Sequence, residues 1–400
     1  MSSAAQVSCT VCGKGLPAAQ IYFGKQPPSN RFMQDSASAA QLESHALSLS
    51  TCTHCSTVQL FDRMPMEAFR PRFDWLVYNE PEGHLDDVAK HLAKLPGIDV
   101  SSRFMGITYL DQSTLTRMLN MGFPDTVCLK DTDLECTVVP FGLETVQAVL
   151  SCPVNISRLK ARYGQADVLL FRRITEHSLS CSQLLKSLSA LVAPDGYMML
   201  ELPDSQRIFN AGNYPFIWEE HISYFTESSV RRLAQEVNAQ VVWLGRYAYP
   251  YEDSLNVVLH FSADSAGVNN DASIATVPKQ TARFFDQFSE VRDQWRTKLE
   301  GIRAKGDKVA VFGAGHLAAK FINFFEIKDL ISCVIDDHPK KVGMYMPGSG
   351  LPIIPSTQLQ KLGIRYCVST LSPESEVKVR INLAHFFDNG GTFLPAFSTV

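Results

Sequence analysis

Apolar positions along the chain switch period repeatedly, and the switches predict strands and helices in alternation. Residues 85–95 carry apolar side chains at i, i+3 and i+4 spacing, which predicts an amphipathic helix. Residues 103–108 read as a buried strand, 113–121 as a helix capped by Ser113, and 125–130 as another strand. The rhythm returns at 166–172, 181–192 and 196–202, with the Pro194-Asp195-Gly196 turn separating the last two. Two later apolar runs, 240–247 and 254–261, follow a helix at 228–237 and can pair through a turn at 249–252. Such alternation predicts an α/β fold whose parallel-rich sheet has helices on both faces.

Residues 262–275 are small and polar and cannot bury enough apolar surface to order themselves, which marks a linker. A long helix over 277–304 follows, and then a second α/β unit begins. Its strands are predicted at 308–312, 332–335, 365–369 and 392–396, and its helices at 318–325 and 373–387. The predicted division is therefore an N-terminal module over 1–70, a central Rossmann-like domain over 71–265, and a smaller Rossmann-like α/β domain over 276–400.

The N-terminal module carries two cysteine knuckles, Cys9-Thr-Val-Cys12 and Cys52-Thr-His-Cys55. Each short loop aims two thiolates at one point, and together they complete the tetrahedral sulfur shell that Zn2+ prefers. A structural zinc ribbon is the expected reading. His54 in place of one thiolate, or two redox-active pairs, remain open from the spacing. The other cysteines, Cys128, Cys136, Cys152, Cys181, Cys333 and Cys367, show no pairing pattern and read as reduced thiols.

Composition narrows the partners. The 400 residues are 45% hydrophobic and 20% charged, with a net charge of −4. Without Lys/Arg runs, this balance argues against nucleic acid and anionic membranes and favours a small-molecule substrate. The chain has no basic-apolar leader and no apolar run near the length of about eighteen residues that spans a bilayer, so a cytoplasmic protein is expected.

Candidate chemistry concentrates in Trp218-Glu219-Glu220-His221-Ile222-Ser223-Tyr224-Phe225. A histidine made more basic by a neighbouring carboxylate can take a proton near neutral pH, and a tyrosine can donate to a developing oxyanion. A capping loop whose Glu and His satisfy backbone groups is the plainer alternative. Trp75-Leu-Val-Tyr78 can cover the same crevice, and Glu176-His177 follows a strand or decorates a helix N-terminus. Gly313-Ala-Gly315 opens a helix, with Asp336 ending the next strand, which is the arrangement of a dinucleotide fingerprint or of a structural tight turn.

Taken in order, these segments resemble the zinc-binding sugar C-methyltransferase family. The similarity rests on the two knuckles, Gln26-Pro-Pro-Ser-Asn-Arg-Phe32, Ala166-Asp167 with Glu176-His177, Pro194-Asp-Gly196 with Glu201-Leu-Pro203, and Glu220-His221-Ile-Ser-Tyr224-Phe225. At the C-terminal end it rests on residues 309–318, Asp336-Asp-His-Pro339-Lys340-Lys-Val-Gly343 and Met346-Pro-Gly348 with Leu351-Pro-Ile353. The resemblance implies a methyltransferase fold for the central domain, S-adenosylmethionine as cofactor, and methylation of a carbon next to a ketone in a nucleotide-linked sugar. Such a carbon becomes nucleophilic only after losing a proton, so a base is needed, and the enolate oxygen needs donors. The resemblance assigns His221 as base, within the Glu220-His221 pair, and places Tyr224 and Tyr78 near the substrate, with Trp75 where the family has a further tyrosine.

The family's glycine-rich cofactor turn corresponds to Gly106-Ile-Thr-Tyr-Leu-Asp111-Gln112, where Thr108 and Gln112 replace glycines and Asp111 stays in register. A β-branched residue there is expected to block the ligand or to force another pose. Gly106 and Asp111 are the cofactor candidates on this turn, and Asp131 or Asp133 can accept from ribose hydroxyls. Residues 251–255 replace the family's glycine-serine segment near the substrate. The departures keep an alternative in view: a protein of this fold that binds or assembles without methyl transfer, or that uses enolisation or a nucleotide in another reaction.

Overall fold

The computed structural model of the chain describes residues 7–69, 72, 73, 75, 81–134, 142–262 and 279–398. Its strands in chain order are β1 (Ile21–Gln26), β2 (His45–Thr51), β3 (Val58–Leu60), β4 (Phe104–Gly106), β5 (Thr126–Cys128), β6 (Ala166–Arg172), β7 (Val192–Asp204) and β8 (Ser223–Tyr224). They continue with β9 (Gln240–Tyr247), β10 (Asp253–His260), β11 (Lys308–Phe312), β12 (Val334–Ile335), β13 (Ile353–Ile354), β14 (Ile364–Ser369) and β15 (Thr392–Pro395). Tyr78, Cys136 and most of the linker lie outside the described residues.

The central sheet runs β5-β4-β6-β7-β10-β9. Its first four strands are parallel, and β10 pairs antiparallel with both β7 and β9, as the late apolar runs suggest. Strands β6 and β7 are apolar nearly throughout because helices cover both faces. The Pro194-Asp195-Gly196 turn is not a boundary. Strand β7 runs through it, with Asp195 at φ 58° and an irregularity in the β6 register, so the turn becomes a bulge inside one strand.

The C-terminal sheet, β13-β12-β11-β14-β15, is parallel throughout. The helix expected over 277–304 is two helices, Lys279–Asp286 and Phe288–Arg303, joined at Gln287. Gly313 leaves β11 at φ +99°, and a Cβ there would meet Leu371 at 2.9 Å and Thr370 at 3.0 Å, so only glycine makes this turn.

The N-terminal sheet is not self-contained. It runs β1-β2-β3-β8, and β8 comes from the segment that carries His221. Val58 pairs with Tyr224 and Gln59 with Ser223. One side of the N-terminal module, with Cys9, Cys52 and Cys55, packs into the central core. The other side, with Ile21, Phe23, Leu47 and Leu49, packs against the C-terminal unit, where Phe23 stacks on Phe324 at 4.4 Å and meets Phe288 edge-on at 5.0 Å. The module thus joins the two α/β units.

Candidate active site

The segment around His221 is held from four directions. Tyr224 sits in β8, 2% exposed, and its hydroxyl accepts from the Trp218 N–H at 2.7 Å and donates to the Trp218 carbonyl at 3.0 Å. That hydroxyl is engaged, so Tyr224 closes the loop and is not a free donor for an oxyanion, a correction to the sequence expectation. Glu219 accepts from the Ser29 N–H at 2.5 Å and the Ser29 hydroxyl at 3.1 Å, and pairs with Lys320 Nζ at 2.6 Å. Trp218 stacks on His316 at 4.5 Å. All three units of the chain therefore fix residues 218–221.

The Glu219–Lys320 pair is 0% and 1% exposed at its side chains. Removing one partner strands a buried charge, so Lys320→Met is expected to cost about 3–5 kcal/mol in urea unfolding. A loss within error of zero would mean that the pair does not clamp the loop.

His177 and Glu176, on the one-turn helix Thr175–His177 after β6, complete the site. The His177 Nδ1–H donates to the Glu220 carbonyl at 2.7 Å, which leaves Nε2 with its lone pair. The His177 and His221 rings lie 5.0 Å apart, edge to face, and one ligand atom from each of Glu176, His177 and His221 falls within 4.8 Å of the others. Of the three, His221 alone keeps a partly accessible face.

Burial sets the protonation here. It drives His177 down to about 4 and Glu176 up to about 8. His221 is held well below its ordinary value first by burial, and then by the neighbouring His177, His316 and Arg173, each of which opposes a second positive charge beside it when protonated. The expectation that a carboxylate raises the basicity of His221 is reversed: the Glu219 carboxylate is turned to Ser29 and Lys320, and the imidazole stays neutral. A carboxyl with a raised pKa keeps its proton in the folded state where the unfolded chain has lost it. Stability therefore falls as pH rises through 4.5 to 8. Glu176→Gln cannot titrate, and should gain on the native chain across that window by on the order of 4 kcal/mol, read by urea unfolding at both ends.

The cofactor turn is closed on itself. The Asp111 carboxylate accepts from the N–H groups of Ile107 and Thr108 at 2.9 Å each, and burial pushes it up to about 7. A Cβ on Gly106 would meet Asp111 Cβ at 2.7 Å and Leu115 at 3.0 Å, so the space beside this glycine is filled by the chain itself. Thr108 is 2% exposed. Asp131 is exposed, whereas Asp133 is engaged by Arg162 and the Tyr163 hydroxyl. As arranged, these residues do not fit the methionine end of S-adenosylmethionine.

Arg172, at the end of β6, closes the turn from the other side. It is 1% exposed, donates to the Leu110 carbonyl, and reaches Glu201 Oε2 at 2.5 Å and Glu82 Oε1 at 3.2 Å. Glu201 also receives Arg173 at 3.0 Å, Ser254 at 3.0 Å and His84 at 3.2 Å. Against the burial that pushes it up, Arg173, His84 and Arg172 hold the Glu201 carboxyl well below the usual carboxylate range. Sequence reading missed this cluster. The available signal was Arg172 and Glu201, each following directly on an apolar run, 168–171 and 197–200.

The four knuckle sulfurs converge. Cys9 and Cys55 Sγ lie 3.5 Å apart, Cys12 and Cys52 Sγ 3.6 Å apart, and all four fall within 4.8 Å. Sulfurs about 2.3 Å from one tetrahedral ion would be about 3.8 Å apart, so the set fits zinc. The Gln59 amide reaches Cys9 at 3.1 Å and the His54 backbone N–H reaches Cys52 at 3.4 Å, contacts suited to thiolates. His54 contributes its backbone, not its ring, to this cluster. In the C-terminal unit, Asp336 accepts from the Ala314 N–H at 2.9 Å and Lys341 at 3.0 Å, closing the Gly313 turn.

A methyltransferase-domain family model matches residues 12–244, and a C-methyltransferase C-terminal domain model matches residues 269–397. The C-methyltransferase NovU of Streptomyces niveus is 24% identical over 412 residues, spanning 96% of this chain and 94% of the relative. Among solved structures, the Burkholderia thailandensis 1,6-didemethyltoxoflavin-N1-methyltransferase, with 1,6-didemethyltoxoflavin and S-adenosylhomocysteine bound, aligns over 45% of this chain and 77% of its own at 12% identity and TM-score 0.29. An Anabaena variabilis SAM-dependent methyltransferase aligns over 45% and 85% at 14% identity and TM-score 0.32. No helix among the described residues is long and apolar enough to cross a membrane. The two family models together cover residues 12–244 and 269–397, and the protein belongs to the S-adenosylmethionine-dependent C-methyltransferase family.

Proposed function

We propose that the protein acts on the carbon next to a ketone in a nucleotide-linked keto-sugar, with His221 as the base that makes that carbon nucleophilic. In this family S-adenosylmethionine supplies the methyl group; the steps argued for this chain are proton transfers. The observation that carries the reading is the pair of imidazoles, His177 and His221, set edge to face at 5.0 Å, with His177 oriented through its Nδ1–H on the Glu220 carbonyl. A neutral imidazole with an accessible face can take a proton from carbon. Protonated Glu176 beside them adds no negative charge to oppose the enolate. Glu220 serves through its carbonyl, and Tyr224 by holding the loop.

The same reading assigns zinc to Cys9, Cys12, Cys52 and Cys55 in a structural role, since four protein ligands leave no open position. The N-terminal module over 1–70 then acts as a metal-stapled joint between units at 71–265 and 276–400. The test of the catalytic reading is solvent deuterium exchange into the carbon beside the ketone of a nucleoside-diphosphate keto-deoxysugar, followed by NMR without cofactor. Exchange by the native chain and its loss in His221→Asn is the expected result; exchange that survives the substitution removes His221 from the role.

A further inference from the structure

In an open α/β sheet the ligand crevice lies outside the carboxyl ends of the strands, where the strand order reverses. In the order β5-β4-β6-β7 the reversal falls between β4 and β6: the chain goes outward from β4 to β5, then returns to place β6 on the other side. The carboxyl end of β4 is Gly106 and the turn that follows it, and the carboxyl end of β6 is Arg172. The Arg172 guanidinium bridges the two, from the Leu110 carbonyl on the turn to Glu201 at the end of β7, with Glu82 beyond. The usual ligand position of the fold thus holds a side chain of the protein.

We propose that Arg172 is an internal occupant of the cofactor crevice, and that S-adenosylmethionine reaches the crevice only by displacing its guanidinium from Leu110 and Glu201. Three features support this. The guanidinium donates to a turn carbonyl, as the ammonium group of an amino acid would, so the two compete for one acceptor. It is 1% exposed and anchored on a carboxylate that is itself 0% exposed, so displacement means breaking a buried, charge-assisted bond. With Arg173 alongside, two guanidinium charges share the single buried carboxylate of Glu201, which leaves an excess of positive charge toward a cofactor whose sulfonium is positive. The proposal goes beyond the role of His221 and is independent of it.

The test is calorimetric titration of the full-length protein with S-adenosylmethionine and, separately, with uncharged-sulfur S-adenosylhomocysteine, comparing native chain, Arg172→Met and Glu82→Gln. Binding to the native chain should be weak, with the sulfonium form the weaker of the two. Arg172→Met should tighten both by about tenfold or more and shrink the difference between them, because a fixed positive charge has gone. Glu82→Gln, which loosens only the outer hold on Arg172 and leaves Glu201 paired, should give a smaller gain in the same direction. Tight native binding, or affinities unchanged in the folded variants, would overturn the proposal. If Arg172→Met does not fold, the native chain and Glu82→Gln decide it alone. Because none of these titrations involves proton exchange, their failure leaves the reading of His221 untouched, and the reverse holds too.

Discussion

Cys55→Ala should leave the purified chain without zinc and without a cooperative unfolding transition. The four sulfurs converge to within 4.8 Å, and Cys9, Cys52 and Cys55 are 3%, 0% and 0% exposed, so the ion would be a buried part of the core. A structural zinc site of this type contributes on the order of 10 kcal/mol at neutral pH, comparable with the whole stability of an ordinary domain. The effect should not stay local. The knuckles set the position of β3, β3 pairs with β8, and β8 carries the Tyr224 hydroxyl that fixes Trp218. Metal analysis of the native chain together with circular dichroism of the variant checks both ends of the argument. Stoichiometric folding with no zinc in the native chain would reduce the knuckles to packing.

His221→Asn is expected to lower deuterium exchange beside the ketone by about 10²–10⁴-fold with the fold retained, the usual contribution of a positioned general base. The pH profile is the sharper measurement. A base works when unprotonated, so its rate falls on the acid side, around its own pKa. Burial first, and then the neighbouring His177, His316 and Arg173, hold His221 well below 6.5, so exchange should stay level as pH falls through 6.5 and decline only further down. A half-point at 6.5 would mean a solvated imidazole and a different arrangement of the loop. A normal rate in His221→Asn would transfer the task to His177, and the same profile repeated with His177→Ala would show it.

Much of the architecture is legible in the chain because it depends on local periodicity. The β6 and β7 runs, the antiparallel pair β9 and β10, and the second α/β unit all follow from apolar spacing and turn residues. The knuckles and the Glu220-His221 segment are legible because metal ligation and proton transfer demand particular side chains at close spacing. What resists local reading is any property set by distant partners. Lys320 looks like an ordinary helical lysine until Glu219, far away along the chain, is placed 2.6 Å from it. Tyr224 reads as a hydrogen-bond donor for substrate until the loop folds back and engages it.

The sequence by itself determined the alternating α/β plan, the paired cysteine knuckles and the base candidate, and its family resemblance pointed to Thr108 and Gln112 in place of turn glycines. Only the tertiary structure decided that β8 completes the N-terminal sheet, that His221 is neutral, and that Arg172 lies in the crevice between β4 and β6. The reason is physical. Periodicity and side-chain chemistry are carried by neighbours along the chain, whereas desolvation, charge pairing and the filling of a crevice depend on groups that folding brings together from far apart.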